Sequence, residues 1–209
     1  MGRRSFSNGL FFGVGIIVGV LVLLFIAAPQ IYLSSENRNF ADLREKSKLD
    51  CLTMPLHCLV RDGDIDGLTG YLNNGKELEL KDNWGRTALY YALWNEKPHI
   101  LKMLLSAGSD VNTKDDNERS ILFQAVAWKK YAVATELLAN GADIDALNGK
   151  KHPQTALHYC VMKNMPECVE LLLNHGADKS LKDSFGYTLY ERVRMHSHID
   201  DRVGDLLHR

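Results

Sequence analysis

The 209-residue chain carries 25 Lys and Arg against 26 Asp and Glu, a formal charge of −1, with 45% of its residues apolar. That balance offers no basic stripe for neutralising phosphates and argues against nucleic-acid binding. Four cysteines in so long a chain are too few for the dense disulfide framework of a small secreted scaffold.

The amino-terminal tail, residues 1–9, contains Arg3 and Arg4. Residues 10–28 then run from Leu10 to Ala28 without one polar side chain. That length predicts one transmembrane helix spanning a bilayer core. Pro29 ends the run, and Tyr32 is placed for the interface. The alternative is a cleaved secretory signal. Against it, the run is long, and cleavage after Ala28 would put Ile26 where a small residue is wanted and Pro29 after the cut. Arg3 and Arg4 lie close before the span. Arg38, Arg44, Lys46 and Lys48 begin ten residues beyond it, mixed with Glu36, Asp42 and Glu45. The near charges favour a single-pass signal-anchor, N-terminus cytoplasmic and the rest extracytoplasmic, which in a bacterium means inner membrane and periplasm. Gly9 and Gly13, then Gly15 and Gly19, give two G-x-x-x-G spacings on which two such helices can pack. Glycine is also common in membrane helices generally, so self-association is an expectation of low specificity. Residues 29–49 form a juxtamembrane linker and lead-in helix, with Phe40 and Leu43 as its docking residues.

Residues 50–209 repeat themselves. Gly75, Gly108, Gly141 and Gly176 close successive units at spacings of 33, 33 and 35. A second marker keeps the step: Met54-Pro55-Leu56-His57, Thr87-Ala88-Leu89-Tyr90, Ser120-Ile121-Leu122-Phe123, Thr155-Ala156-Leu157-His158 and Thr188-Leu189-Tyr190. A fixed period of this size predicts a solenoid of stacked supersecondary units. In the second copy, Thr87 is placed to cap a helix through its hydroxyl. Ala88, Leu89, Ala92 and Leu93 follow at helical spacing. Pro98 opens a second helix, Ile100, Leu101, Met103, Leu104 and Leu105 give it an apolar face, and Gly108 supplies a left-handed stop. Val133, Leu137 and Leu138 serve the third copy; Pro166, Cys168, Val169, Leu171, Leu172 and Leu173 serve the fourth. Each helix pair is too short to bury its own apolar face, so neighbours share one core.

This pattern resembles the ankyrin repeat, whose period is 33 and whose signature is Thr-Pro-Leu-His-x-Ala. The chain is similar to small single-span, membrane-anchored bacterial ankyrin-repeat proteins. The resemblance implies an all-α ankyrin-repeat solenoid: helix-turn-helix units with β-turn fingers, four repeats and a truncated C-terminal cap, after one transmembrane helix. The repeats fall at about 50–81, 82–114, 115–148 and 149–182, with the cap at 183–209. Gly67 and Gly70 replace large residues in the first copy, and the cap ends in a polar helix to Arg209.

No catalytic constellation is present: no phosphate loop, no His-Glu-x-x-His and no nucleophile elbow. The chain is therefore expected to be no enzyme and to need no cofactor or metal. His57 and His158 occupy the signature position, where the resemblance implies bonding to neighbouring backbone and to the capping hydroxyl. His196 and His198 form a His-x-His pair without further ligands. Cys160 falls in the slot of Ala92 and Ala125, and Cys168 in that of Ile100 and Val133, so both read as free core cysteines. Cys51 and Cys58 fall outside that logic, and a bridge between them would pin the lead-in to the first repeat.

The fingers and first helices supply the usual contact surface of such a stack. Register places Trp84, Arg86, Asn117, Arg119, Lys151, His152, Phe185 and Tyr187 on the fingers. It places Tyr91, Trp94, Asn95, Gln124, Trp128, Tyr159 and Lys163 on the first helices. Tryptophan, tyrosine and arginine dominate protein-binding hot spots. The same aromatics can also simply pack on the next finger. The two extra residues of the longer period fall in the finger 148–154, with Lys150 and Lys151. The expected function is binding of a protein partner at a membrane, as scaffold, regulator or toxin-neutralising protein. The alternatives are a membrane oligomer assembled through the glycine face and an enzyme subunit.

Overall fold

A computed structural model describes residues 51–75, 77–196 and 199–208, all within the second of two compact units, Leu49–Arg209. The apolar run 10–28, its glycines Gly9, Gly13, Gly15 and Gly19, the lead-in 29–49 and His198 lie outside the described residues. Among the described residues no helix is long and apolar enough to cross a membrane.

Among the described residues ten helices follow in pairs: α1 Pro55–Asp62 and α2 Ile65–Asn73; α3 Ala88–Trp94 and α4 Pro98–Ser106; α5 Ile121–Ala127 and α6 Tyr131–Ala139; α7 Ala156–Met162 and α8 Pro166–Asn174; α9 Leu189–Met195 and α10 Asp201–His208. Among the described residues strand pairing is confined to two isolated antiparallel bridges, Lys114 with Ser120 and Asn148 with Gln154, both in fingers. Pro98 and Pro166 open their helices, where the missing amide hydrogen costs nothing. Gly108 follows α4 at φ 93°, the left-handed stop its position requires.

The core runs the length of the stack as columns of equivalent residues. Leu56, Leu89, Leu122 and Leu157 of the first helices are at most 1% exposed, and Leu68, Leu101, Ala134 and Val169 of the second helices match them. Gly67 is explained by its partner. A Cβ there would lie 2.6 Å from Leu59 Cδ2. In the first copy the large residue sits on the first helix and the gap on the second; Ala92 and Ile100 reverse the arrangement one copy later.

The fourth copy fills the same two slots with Cys160 and Cys168, and the structure joins them in a disulfide, Cα–Cα 5.8 Å. They are core residues, both fully buried, but not the free thiols expected from sequence. Two slots that face each other across one helix hairpin, both filled here by small residues, bring the sulfurs together. Cys51 and Cys58 are also bridged, Cα–Cα 5.7 Å.

The fifth copy is not truncated. Its second helix, α10, buries Val203, Leu206 and Leu207 and packs on α8 and α9, so it is amphipathic rather than polar. Five residues, 196–200, separate α9 from α10, where two or three separate the helices of the preceding copies, and this longer link hides the period. Tyr190 closes the end by donating its hydroxyl to the Leu207 carbonyl.

The expected hydroxyl cap at Thr87 is also absent. Its Oγ1 is buried without a hydrogen-bond partner. In the fourth copy, the Thr155 hydroxyl accepts from the His158 amide at 3.2 Å and meets His158 Nδ1 at 2.8 Å. The two residues complete each other. Thr87 has Tyr90 in place of that histidine. His57 has Met54 in place of that threonine, and its Nδ1 is left unpaired. Each orphan is therefore the surviving half of one pair. His57 Nε2 donates to the Arg86 carbonyl at 3.0 Å, as the resemblance implied, tying the first copy to the next finger.

Neighbouring copies are also stitched along their connecting loops. The amides of Asp110, Asp143 and Asp178 donate to the side chains of Glu79, Asn112 and Asp145, at 2.9, 2.7 and 3.0 Å. Lys81 and Lys114 donate to the carbonyls of Lys114 and Leu147, at 3.0 and 2.8 Å. Lys97 and Lys130 reach back to the last carbonyls of the preceding first helix, Arg61 at 3.0 Å and Leu93 at 2.8 Å, where cations are favoured.

Candidate protein-binding face

Three of the four fingers are built on one acidic residue. Asp82 Oδ1 accepts from the amides of Trp84 and Arg86, at 2.8 and 2.9 Å, closing the turn. Its Oδ2 accepts from Arg86 Nε at 2.7 Å and from the Tyr91 hydroxyl at 2.8 Å. Asp115 does the same with the amides of Asn117 and Arg119 and with the Arg119 and Gln124 side chains. Asp183 receives the amides of Phe185 and Tyr187, and its cation comes from Arg192 on α9. In the long finger Asn148 takes over. It pairs with Gln154 through both backbone groups, and its Oδ1 accepts from the Ser120 amide at 2.7 Å.

Burial alone would raise the Asp82 carboxyl. Hydrogen bonds from the Arg86 side chain and from the backbone amides of Arg86 and Trp84 win, and hold it below the usual carboxylate range. Tyr90 and Tyr91 are pushed up by burial, Tyr90 to about 12. Burial likewise lowers His57 and His158, against the pull of the Arg86 carbonyl on the former and of Asp183 on the latter.

Three of the sequence-derived contact residues are thereby reassigned. Arg86, Tyr91 and Gln124 are buried, 7%, 7% and 2% exposed, and serve the finger acids rather than a partner. Register puts them on the correct elements but cannot show that a neighbouring carboxylate draws them inward. Arg119 is partly exposed beside Asp115. Asn95 is half-buried and donates to the Tyr91 carbonyl. Asn117, Lys151, His152, Lys163 and Phe185 are exposed, and Trp84, Trp94, Trp128, Tyr159 and Tyr187 are half-buried.

The rings gather in groups along this face. Trp94 and Trp128 meet edge to face at 5.4 Å, with Tyr90 at 6.1 Å from Trp94 and 5.7 Å from Trp128. The Arg86 guanidinium lies 4.2 Å from the Trp84 ring and 5.9 Å from Trp94, so one buried cation backs two of the chain's three tryptophans. Lys130 Nζ lies 5.7 Å from the Trp128 ring. Farther along, Phe123 and Tyr159 meet at 4.9 Å, and Lys163 lies 5.9 Å from the Tyr159 ring. In the last fingers His152 stacks on Phe185 at 5.0 Å, with Arg192 5.0 Å from Phe185 and 4.8 Å from Tyr187.

Sequence reasoning missed Tyr90, Lys130 and Arg192, which fix these rings, and the finger acids Asp82, Asp115 and Asp183. The acids recur in register one residue before the finger tips, a signal available in the period itself. Rings anchored this way lose little rotamer freedom on binding, which suits them to act as rigid anchors for a partner. Among the described residues no group of His, Cys, Asp and Glu is arranged to hold a metal ion.

A family model described as ankyrin repeats (three copies) matches residues 56–148 and 115–183. No curated protein gives a significant match to the chain. Ankyrin repeats are protein-interaction scaffolds in general and are not usually enzymes. Its period, its paired helices, its acid-built fingers and this match place the chain in the ankyrin-repeat family.

Proposed function

We propose that this chain is a membrane-anchored protein-binding module. Residues 10–28 anchor it, and the fingers and first helices grip one protein partner at the membrane surface. The observation that carries the reading is the Trp94–Trp128 cluster, half-buried, locked edge to face and backed by Arg86. Lys151, Lys163 and Phe185 extend the same face as exposed contacts. Arg3 and Arg4 before the apolar run favour the repeats on the extracytoplasmic side. Two disulfides in one repeat domain support the same side, because such bonds persist in oxidising compartments. The biological role is that of a scaffold, a regulator or a protein that neutralises a toxin.

The test is partner capture from native membranes with the full-length chain, beside a Trp94→Ala, Trp128→Ala variant of unchanged helicity. A stoichiometric protein held by the first and lost by the second supports the reading. Equal capture by both removes this face from it. Resistance of the chain to alkaline carbonate extraction tests the anchor separately, and its release into the supernatant removes the anchor.

A further inference from the structure

The two disulfides sit in opposite environments. Cys160 and Cys168 are fully buried between α7 and α8. Cys51 is exposed, while its partner Cys58, inside α1, is 6% exposed. A guanidinium also lies against the exposed sulfur: Arg61 Nη2 is 3.9 Å from Cys51 Sγ. Arg61 is one turn beyond Cys58 on α1 and is steadied by Asp62 at 2.8 and 3.1 Å. An exposed sulfur, a buried partner and a cation on the exposed one are what thiol–disulfide exchange needs, since access selects the sulfur attacked and a neighbouring cation favours the thiolate.

We propose that Cys51–Cys58 is an exchange-active disulfide that takes a thiol or dithiol as co-reactant at Cys51, with Arg61 holding the Cys51 thiolate. The external thiolate attacks Cys51 Sγ. A new S–S bond forms there, the Cys51–Cys58 bond breaks, and its electron pair leaves with Cys58 Sγ, which takes a proton from water. The second thiolate of a dithiol then attacks the co-reactant's own sulfur and displaces Cys51. The protein gains two electrons, and the dithiol becomes its own disulfide. The released Cys51 sulfur remains beside Arg61 as a thiolate. The α1 core residues Leu56 and Val60 are untouched, so opening the bond frees the chain ahead of the first helix without dissolving the repeat. The Cys160–Cys168 bond offers no such access and stays closed.

The experiment is graded reduction of the native full-length chain with dithiothreitol, trapping with iodoacetamide and mass analysis of the labelled peptides. Labelling of Cys51 and Cys58 is expected at reductant concentrations at least about tenfold below those that open Cys160–Cys168. The pH midpoint of Cys51 alkylation in the partly reduced chain is expected below about 8.5, rising by about one unit in Arg61→Gln and returning toward the native value in Arg61→Lys. Simultaneous opening of both bonds, prior opening of Cys160–Cys168, or free Cys51 before any reductant is added each overturn the proposal. So does a Cys51 midpoint that Arg61→Gln leaves in place. The order of opening needs only the native chain and decides the matter if the variants do not fold.

Discussion

Arg86→Ala should cost the repeat domain far more than Arg119→Ala, although the two arginines occupy the same register. Arg86 and Asp82 form an ion pair at 2.6 Å with side chains 7% and 4% exposed. Removing Arg86 strands the Asp82 carboxylate in the interior with only the Trp84 and residue-86 amides and the Tyr91 hydroxyl. Breaking a buried pair from one side costs about 3–5 kcal/mol. The retained amides place this case near the lower end, and the lost stacking under Trp84 and Trp94 adds to it. Arg119 pairs with Asp115 at 2.8 Å; the acid is only 3% exposed, but the Arg119 side chain is 38% exposed, so water can enter the space it leaves and join the Gln124 amide on the carboxylate. Its removal should cost about 1 kcal/mol. The assay is urea unfolding of residues 51–209, followed by helical circular dichroism and tryptophan fluorescence. Equal losses for the two variants would refute the burial argument. A stable Arg86→Ala protein that lost only its partner would return Arg86 to the contact surface.

Three further outcomes are expected. Met54→Thr should add about 1 kcal/mol, read as a raised urea midpoint, because the new hydroxyl partners His57 Nδ1 and caps α1; no gain would mean the orphan nitrogen is satisfied otherwise. Lys129→Gly should add about 0.5–1 kcal/mol by thermal melting, since Lys129 adopts φ 59° at the position Gly63 fills in the first copy, and a loss would show that the turn carries no strain. His57 and His158 have folded pKa values lowered from 6.5, so the unfolded chain binds more protons below that pH. Stability should therefore be full above about pH 7 and fall as pH drops through 6.5 toward the folded values, and a His57→Tyr, His158→Phe variant should flatten that slope between pH 5 and 7.

Much of the fold was legible because the period is written twice, in glycines and in signature residues. The prolines and Gly108 act locally, so their roles at the ends of α4 and α8 follow from sequence alone. What escaped notice depends on pairs. Thr87 reads as a cap in isolation, but its partner position holds Tyr90. Cys160 and Cys168 each read as a small core residue, and only facing slots make them a bond. The fifth copy's second helix read as a polar end rather than a packed partner, because the longer link before it shifts the register that every other assignment used. Of the candidate face, the tryptophans were legible as rings off the core columns. Arg86, Tyr91 and Gln124 were not, because their inward turn depends on Asp82 and Asp115.

The lysine stitch along the connecting loops has a mechanical side. It runs from Lys81 to Lys114 and from Lys114 to Leu147, and there it stops, because Leu147 has no ammonium to pass forward and stands 50% exposed. Beyond that point the third and fourth copies are held by the Asp178 amide on Asp145 and by the Gly149 amide on the Glu118 carbonyl. A pull applied between the two ends of the stack travels in series through every junction, so the least-braced one sets the yield force. The missing lysine link makes the junction between the third and fourth copies, beside the long finger, the expected place for a stretched domain to part into two blocks rather than fray from its tips.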